Sequence, residues 1–202
     1  MIPGVILAGG ASSRMSGRPK ALLPLGPDPQ SFLSRIVQSL RDSGVDDVIV
    51  VAGYHLDEIT RHVEGQNLPV RIVPNPHPEQ GQLSSLLAGL RAVDHPGVQA
   101  MLVTLVDLPL IASDTARAVL DAYRDSCAPL VRPARSGRHG HPVLFDRSLF
   151  DELRRADPER GAKPVVRAHA AEGVEVEVND NGAFDDIDTP ADYERVFGQL
   201  PV

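Results

Sequence analysis

The chain has 202 residues, of which 42% are hydrophobic and 23% charged, enough for one well-buried core and short for two. Its formal net charge of -7 and its lack of tryptophan exclude a protein built to wrap nucleic acid or to lie on an anionic membrane. Phosphate ligands stay open, because a few local donors and a metal ion can hold one. The single cysteine, Cys127, permits no internal disulfide and no multi-thiolate metal site, and it reads as a filler between a helix and a strand. The N-terminus lacks the basic and long apolar regions of a signal peptide, and no charge-free apolar run has membrane-spanning length, so a cytoplasmic protein is expected.

Short β-branched runs alternate with helical patterns. Gly4 to Leu7 reads as a buried strand closed by Gly9-Gly10. Phe32, Leu33, Ile36, Val37 and Leu40 carry helical spacing, with Ser31 as N-cap and Gly44 just past the end. Val48 to Val51 is a second strand, Leu56, Ile59 and Val63 mark a short helix, and Val70 to Val73 is a third strand. Leu83, Leu86, Leu87, Leu90 and Val93 form a helical stripe before the strand Met101 to Leu105. A helix with Ala116, Val119, Leu120 and Tyr123 inward follows. Pro129 to Arg132 and Pro142 to Phe145 are further strands. Helices are expected from Leu149 and over Pro164 to Ala170, and Val174, Val176 and Val178 alternate with glutamates as an edge strand with one wet face. Thr189-Pro190-Ala191-Asp192 opens a terminal helix. Gly26 to Pro29 and Pro74 to Gly81 read as loops. The alternation predicts a single α/β domain over 1–202, a three-layer Rossmann-like arrangement with a mostly parallel sheet. Ligands then bind beyond the carboxyl ends of the strands, where the glycine-rich segment and Asp107 both fall.

Leu7-Ala8-Gly9-Gly10-Ala11-Ser12-Ser13-Arg14-Met15, followed by Lys20, is a strand, a glycine turn and two cations. Glycines let backbone N–H groups approach a polyphosphate, Arg14 can bind phosphate with a forked guanidinium, and Lys20 adds a point charge. Alone, the glycines fit an ordinary turn equally well. Neither G-x-G-x-x-G nor the P-loop pattern is present. Asp107 ends a strand, where it can hold Mg2+ or simply form a turn before Leu108-Pro109. Asp186 and Asp188 lie on the same side of an extended segment, as a second metal ligand or as organisers of the last helix. Ser84 and Ser85 either bind ligand or cap their helix, and Asn75 either faces a nucleotide or stiffens its loop. His55, His62, His77, His95 and His169 read as solvated or local packing residues.

This signature resembles the molybdenum-cofactor nucleotidyltransferase family of MobA- and MocA-like proteins. Similarity extends to Asn75-Pro76 with Gly81 and Ser84-Ser85-Leu86, to Leu105 to Pro109, to Gly140-His141-Pro142, and to Asp186 to Asp192, in the family's order. The Met15 to Lys20 spacing is one residue longer than the family's, which predicts a local bulge and leaves Arg18 as a possible sharer of the lysine's role.

The resemblance implies a Mg2+-dependent nucleotidyltransferase. An acceptor phosphate attacks the α-phosphorus of CTP or GTP in line and pyrophosphate leaves. The acceptor implied is the phosphorylated molybdopterin cofactor, with a molybdoenzyme as client. Leu7, Ala8, Gly9, Gly10, Lys20, Asn75, Gly81, Ser84 and Ser85 would bind the nucleotide, while Arg14 and Lys20 neutralise phosphate charge. Asp107 and Asp188 would hold the metal, the latter by similarity to sugar nucleotidyltransferases, and His141 would line the acceptor side. Leu-Ala-Gly-Gly resembles guanylyl-transferring members, whereas the later blocks resemble the MocA side, which uses CTP. Two rivals remain: a dinucleotide-dependent oxidoreductase, and a non-catalytic accessory protein that binds and delivers a nucleotide or cofactor.

Overall fold

The apolar run Gly4–Ala8 forms β1, an interior strand of the sheet in a computed structural model that describes residues 1–15 and 17–200. After it come a short hairpin of β2 (Pro24–Leu25) and β3 (Asp28–Ser31), then α1 (Phe32–Asp42), β4 (Val48–Ala52), α2 (Leu56–Gly65) and β5 (Arg71–Pro74). Next are α3 (Gln82–Val93), β6 (Ala100–Leu105), α4 (Ser113–Ser126), β7 (Leu130–Arg135), β8 (Arg138–His139) and β9 (Val143–Asp146). The chain ends with α5 (Phe150–Arg154), α6 (Lys163–Ala168), β10 (Val174–Glu177) and α7 (Pro190–Phe197). Among the described residues, no helix is long and apolar enough to cross a membrane.

The main sheet runs β10-β7-β9-β6-β1-β4-β5, with β8 paired to β7. Strands β6, β1, β4 and β5 are parallel, and β10 is parallel to β7. Strand β9 is antiparallel to both β6 and β7, a reversal that local periodicity does not reveal. As expected, β10 is an edge strand. Leu7 pairs with Val51 and with Leu105, so β1, β4 and β6 end side by side. The loops after them therefore open on one crevice.

Both faces of the sheet are covered, which is why β1 and β4 are apolar at every position. Ile6, Val50 and Leu102 face α1, α2 and α4, while Val5, Leu7, Val51 and Val103 face α3 and α5. Adjacent strand residues alternate between these layers. A third cluster joins Met15, Leu23 and Phe32 to Ile187 and Tyr193 of the C-terminal segment. The Tyr193 hydroxyl donates to the Pro24 carbonyl at 2.9 Å and accepts from the Gly26 amide at 3.1 Å, pinning α7 on the hairpin. That hairpin occupies the segment expected to be a plain loop.

The helix ends follow from side-chain chemistry. Ser31 Oγ accepts from the Ser34 amide at 3.0 Å, and Gly44 has φ 96° past the end of α1. Thr189 and Asp192 form a reciprocal capping box on α7. Cys127 lies between α4 and β7, where it is exposed and ends α4 in a left-handed conformation, φ 52°.

Gly89 lets α3 lie close against the sheet, since a Cβ there would stand 2.6 Å from the Val5 side chain. Overfilling such a contact costs about 1–3 kcal/mol. Gly89→Val is therefore expected to lower the denaturation midpoint with an unchanged slope. An unaltered midpoint would mean that α3 can lift without cost.

Candidate active site

The glycine loop is shaped by what crowds it. A Cβ on Gly9 would stand 2.3 Å from Ser85 Oγ, and one on Gly53 2.5 Å from the Gly9 carbonyl. Gly9 is thus pinched between the start of α3 and the loop after β4. A Cβ on Gly10 would meet nothing within 4 Å, so its backbone faces open space. Ser12 then turns the chain with φ 50°; its carbonyl accepts from the Met15 amide at 2.9 Å, and its hydroxyl accepts from the Lys20 amide at 3.1 Å. Met15, 2% exposed, plugs into the cluster with Ile187 and Tyr193. That plug turns Arg14 outward and brings the loop against the segment carrying Asp188.

Lys20 Nζ bonds to Asp188 Oδ1 and lies 3.5 Å from Asp107 Oδ2. Arg14 pairs with the other Asp188 oxygen. A backbone bond from the Ile187 amide to the Asp107 carbonyl, 2.8 Å, holds the two acid-bearing segments together. Burial pushes the Asp107 carboxyl up; Lys20 pulls it back, and Asp188 and Asp186 push it further up. The hydrogen bond from Lys20 holds Asp188 low, against the effect of burial and with help from Arg14. Asp107 Oδ1 is buried without any hydrogen-bond partner. A desolvated oxygen left bare is costly unless a ligand meets it.

These residues fit a hard divalent cation. The described residues contain no cluster of three or more His, Cys, Asp and Glu able to cage a metal. Mg2+ needs only one or two carboxylates, with waters and substrate phosphates completing its shell.

A cavity of about 290 Å³ covers this set. Leu7, Ala8, Gly9, Gly10, Arg14, Lys20, Gly81, Ser85, Asp107 and Asp188 line it, as do Tyr54, His55 and Gln82. A second cavity of about 870 Å³ shares Leu7, Gly81, Gln82 and Leu105 with the first. Its floor is apolar, from Leu83, Leu86, Val103, Val143 and Phe145, and its walls carry Arg132, Arg160, Lys163 and Arg167. Glu175 steadies one wall, its Oε1 lying 2.7 Å from both Arg132 and His139. His141 lines this second cavity; its Nδ1–H donates to the Val103 carbonyl at 3.3 Å. Burial pushes the imidazole pKa down, against that carbonyl, so the ring is neutral near pH 7 and its Nε2 is left to accept.

Several expected residues take a supporting place instead. Asn75 is buried and spends its amide on Ser84 and Ser85, at 2.8 and 3.0 Å, while its oxygen accepts from the His77 amide. Ser84 donates within the same loop, to the His77 and Gly81 carbonyls. Both shape the loop behind Ser85 and lie outside the cavity lining. Asp186 is exposed and outside that lining, whereas Asp188 is part of it. Lys20 is the cation that reaches both carboxylates, and Arg18 is not part of the lining. Tyr54 and His55 also line the cavity, although neither carries a sequence motif and His55 reads from sequence as a solvated or packing residue; its Nε2 contacts the Ala11 carbonyl at 3.3 Å. The strand-end rule that located Gly9 and Asp107 also applies to Gly53-Tyr54-His55 after β4.

A glycine-opened cavity with two cations and a carboxylate pair, at the ends of parallel strands, is equipment for moving a nucleotidyl group from a triphosphate. The class is that of the nucleotidyltransferases. A family model described as the MobA-like NTP transferase domain matches residues 4–174, and the chain belongs to that family. A molybdenum cofactor guanylyltransferase of Rhizobium meliloti is 30% identical over 210 residues, covering 98% of this chain and 92% of the relative. A nicotine blue oxidoreductase of Paenarthrobacter nicotinovorans is 28% identical, with 96% of each chain covered. A solved protein of Mycobacterium tuberculosis in complex with manganese superposes with a TM-score of 0.75 at 25% identity, covering 98% of this chain and 99% of that one.

Proposed function

We propose that the chain transfers a nucleoside monophosphate from GTP or CTP to a phosphorylated small acceptor of the molybdopterin type, releasing pyrophosphate. The observation that carries this reading is Lys20 standing between Asp107 and Asp188 while Asp107 Oδ1 is buried and bare. Asp107 and Asp188 would hold Mg2+, which when bound neutralises charge on the α-phosphate and the leaving group. The Gly9–Gly10 backbone receives the triphosphate, and Tyr54, 53% exposed at the cavity mouth, offers a face for the base. Arg14 and Lys20, which satisfy Asp188 in the free protein, gain phosphate oxygens as alternative partners and release the carboxylate for the metal.

The acceptor belongs in the second cavity, whose apolar floor suits a heterocycle and whose arginines and lysine suit its phosphate. An acceptor phosphate is already anionic near neutral pH, so no strong general base is needed. Catalysis then rests on alignment and charge stabilisation.

Thermal shifts with ATP, CTP, GTP, UTP and NADPH, each with and without Mg2+, test this reading. Ligand at a hundred times its Kd stabilises by about 2.7 kcal/mol, roughly 5–10 °C for a chain of this size. A Mg2+-dependent shift with GTP or CTP is the expected result and names the donor. A shift with NADPH alone would replace the reading by an oxidoreductase. Triphosphate binding with no pyrophosphate release on addition of molybdopterin would leave an accessory binding protein.

A further inference from the structure

We propose that Asp180 is a positioning residue for the acid pair: it latches the 180–188 segment onto the start of α4 and thereby sets where Asp188 stands relative to Asp107. The inference rests on the reading of these two acids as metal ligands.

Asp180 Oδ2 accepts from the Ala112 amide at 2.9 Å and from Thr115 Oγ1 at 2.7 Å, while Oδ1 accepts from the Gly182 amide at 2.9 Å. One carboxylate therefore ties the Ala112 amide and the buried Thr115 hydroxyl at the start of α4 to its own turn. Two residues on, the backbone comes so near the loop after β6 that a Cβ on Gly182 would stand 2.0 Å from the Leu110 carbonyl. The Ala183 carbonyl then accepts from the His141 amide at 2.9 Å, and the Ile187 amide donates to the Asp107 carbonyl at 2.8 Å. The segment thus ties α4, the Asp107 loop and the His141 loop into one body before it delivers Asp188. On the far side Asp188 is followed by the Thr189 cap of α7. The acid sits between two anchors, of which Asp180 is the one that also fixes the Asp107 side.

Asp180→Ala, Asp180→Asn and a control, Asp146→Ala, separate this role from general loss of stability. Asp146 makes comparable bonds, to the Ser148 amide at 2.8 Å and the Tyr123 hydroxyl at 2.6 Å, at the opposite end of β6, where it pairs with Ala100. Hydrogen exchange over 181–188 is measured alongside the Mn2+ dependence of pyrophosphate release. Asp180→Ala is expected to speed exchange at the Ile187 amide and to raise the half-saturating Mn2+ concentration about 10–100-fold, with triphosphate KM nearly unchanged. Asp180→Asn, which keeps one acceptor oxygen, should recover part of the loss, and Asp146→Ala should change neither readout. Unchanged Ile187 exchange in Asp180→Ala, or an equal metal effect from Asp146→Ala, overturns the latch. Absence of pyrophosphate release by the wild type would instead remove the transferase reading, with the exchange data still deciding the latch.

Discussion

Asp107→Asn is expected to lower turnover by a factor on the order of a thousand while making the nucleotide-free protein more stable at neutral pH. The first effect follows from loss of the anionic oxygen that would meet the metal in the proposed reaction. The second follows from its surroundings: burial and the nearby Asp188 and Asp186 charges raise its pKa, and Lys20 offsets them only in part. A carboxyl whose folded pKa is raised stabilises the fold below its unfolded value, near 3.9, and that contribution is lost as pH rises through the folded value. At pH 7 the charge therefore opposes folding, and the neutral amide removes that opposition. The melting temperatures of the two proteins should diverge as pH rises above about 3.9 toward neutral, with the variant ahead at the neutral end. Turnover within tenfold of the wild type would take Asp107 out of the metal role.

Lys20→Ala is the second large effect. Its ammonium, 13% exposed, is held by Asp188 and stands 3.5 Å from Asp107. Binding of GTP or CTP is expected to weaken on the order of a hundredfold, as when a buried charge partner is removed, while guanosine or cytidine binding changes little. Titration calorimetry with the triphosphate and its nucleoside reads the difference directly. Equal weakening of both would show that Lys20 shapes the cavity and leaves the phosphates alone. Arg14→Ala should have the milder effect, because its side chain is 67% exposed and water screens its charge.

Other parts of the site lay beyond the reach of local pattern. Asn75 and Ser84 carry the same motif as Ser85, yet they turn into the loop because their hydrogen bonds close there. Tyr54 and His55 carry no motif of their own and matter because β4 ends beside β1. Of the four cations of the second cavity, Arg160, Lys163 and Arg167 come from one stretch at α6, and Arg132 on β7 joins them only through the fold. The antiparallel strand β9 is buried and apolar over Val143–Phe145, as the parallel strands β1 and β4 are, and direction leaves no trace in side-chain character.

By itself the sequence determined the elements whose causes are local. Continuous apolar runs made β1 and β4, helical spacing made α1 and α3, and Ser31 and Thr189 capped their helices. It also marked Gly9 and Asp107 as strand-end residues and Lys20 as a cation following the glycine turn. Only the tertiary structure decided that Lys20 meets Asp188 across 168 positions of chain. It also decided which oxygen of Asp107 stays bare. The physical reason is that strand and helix signals repeat over a few residues. Long-range contacts depend instead on which surfaces bury together, here the Met15, Ile187 and Tyr193 cluster that draws the two ends of the chain to one site.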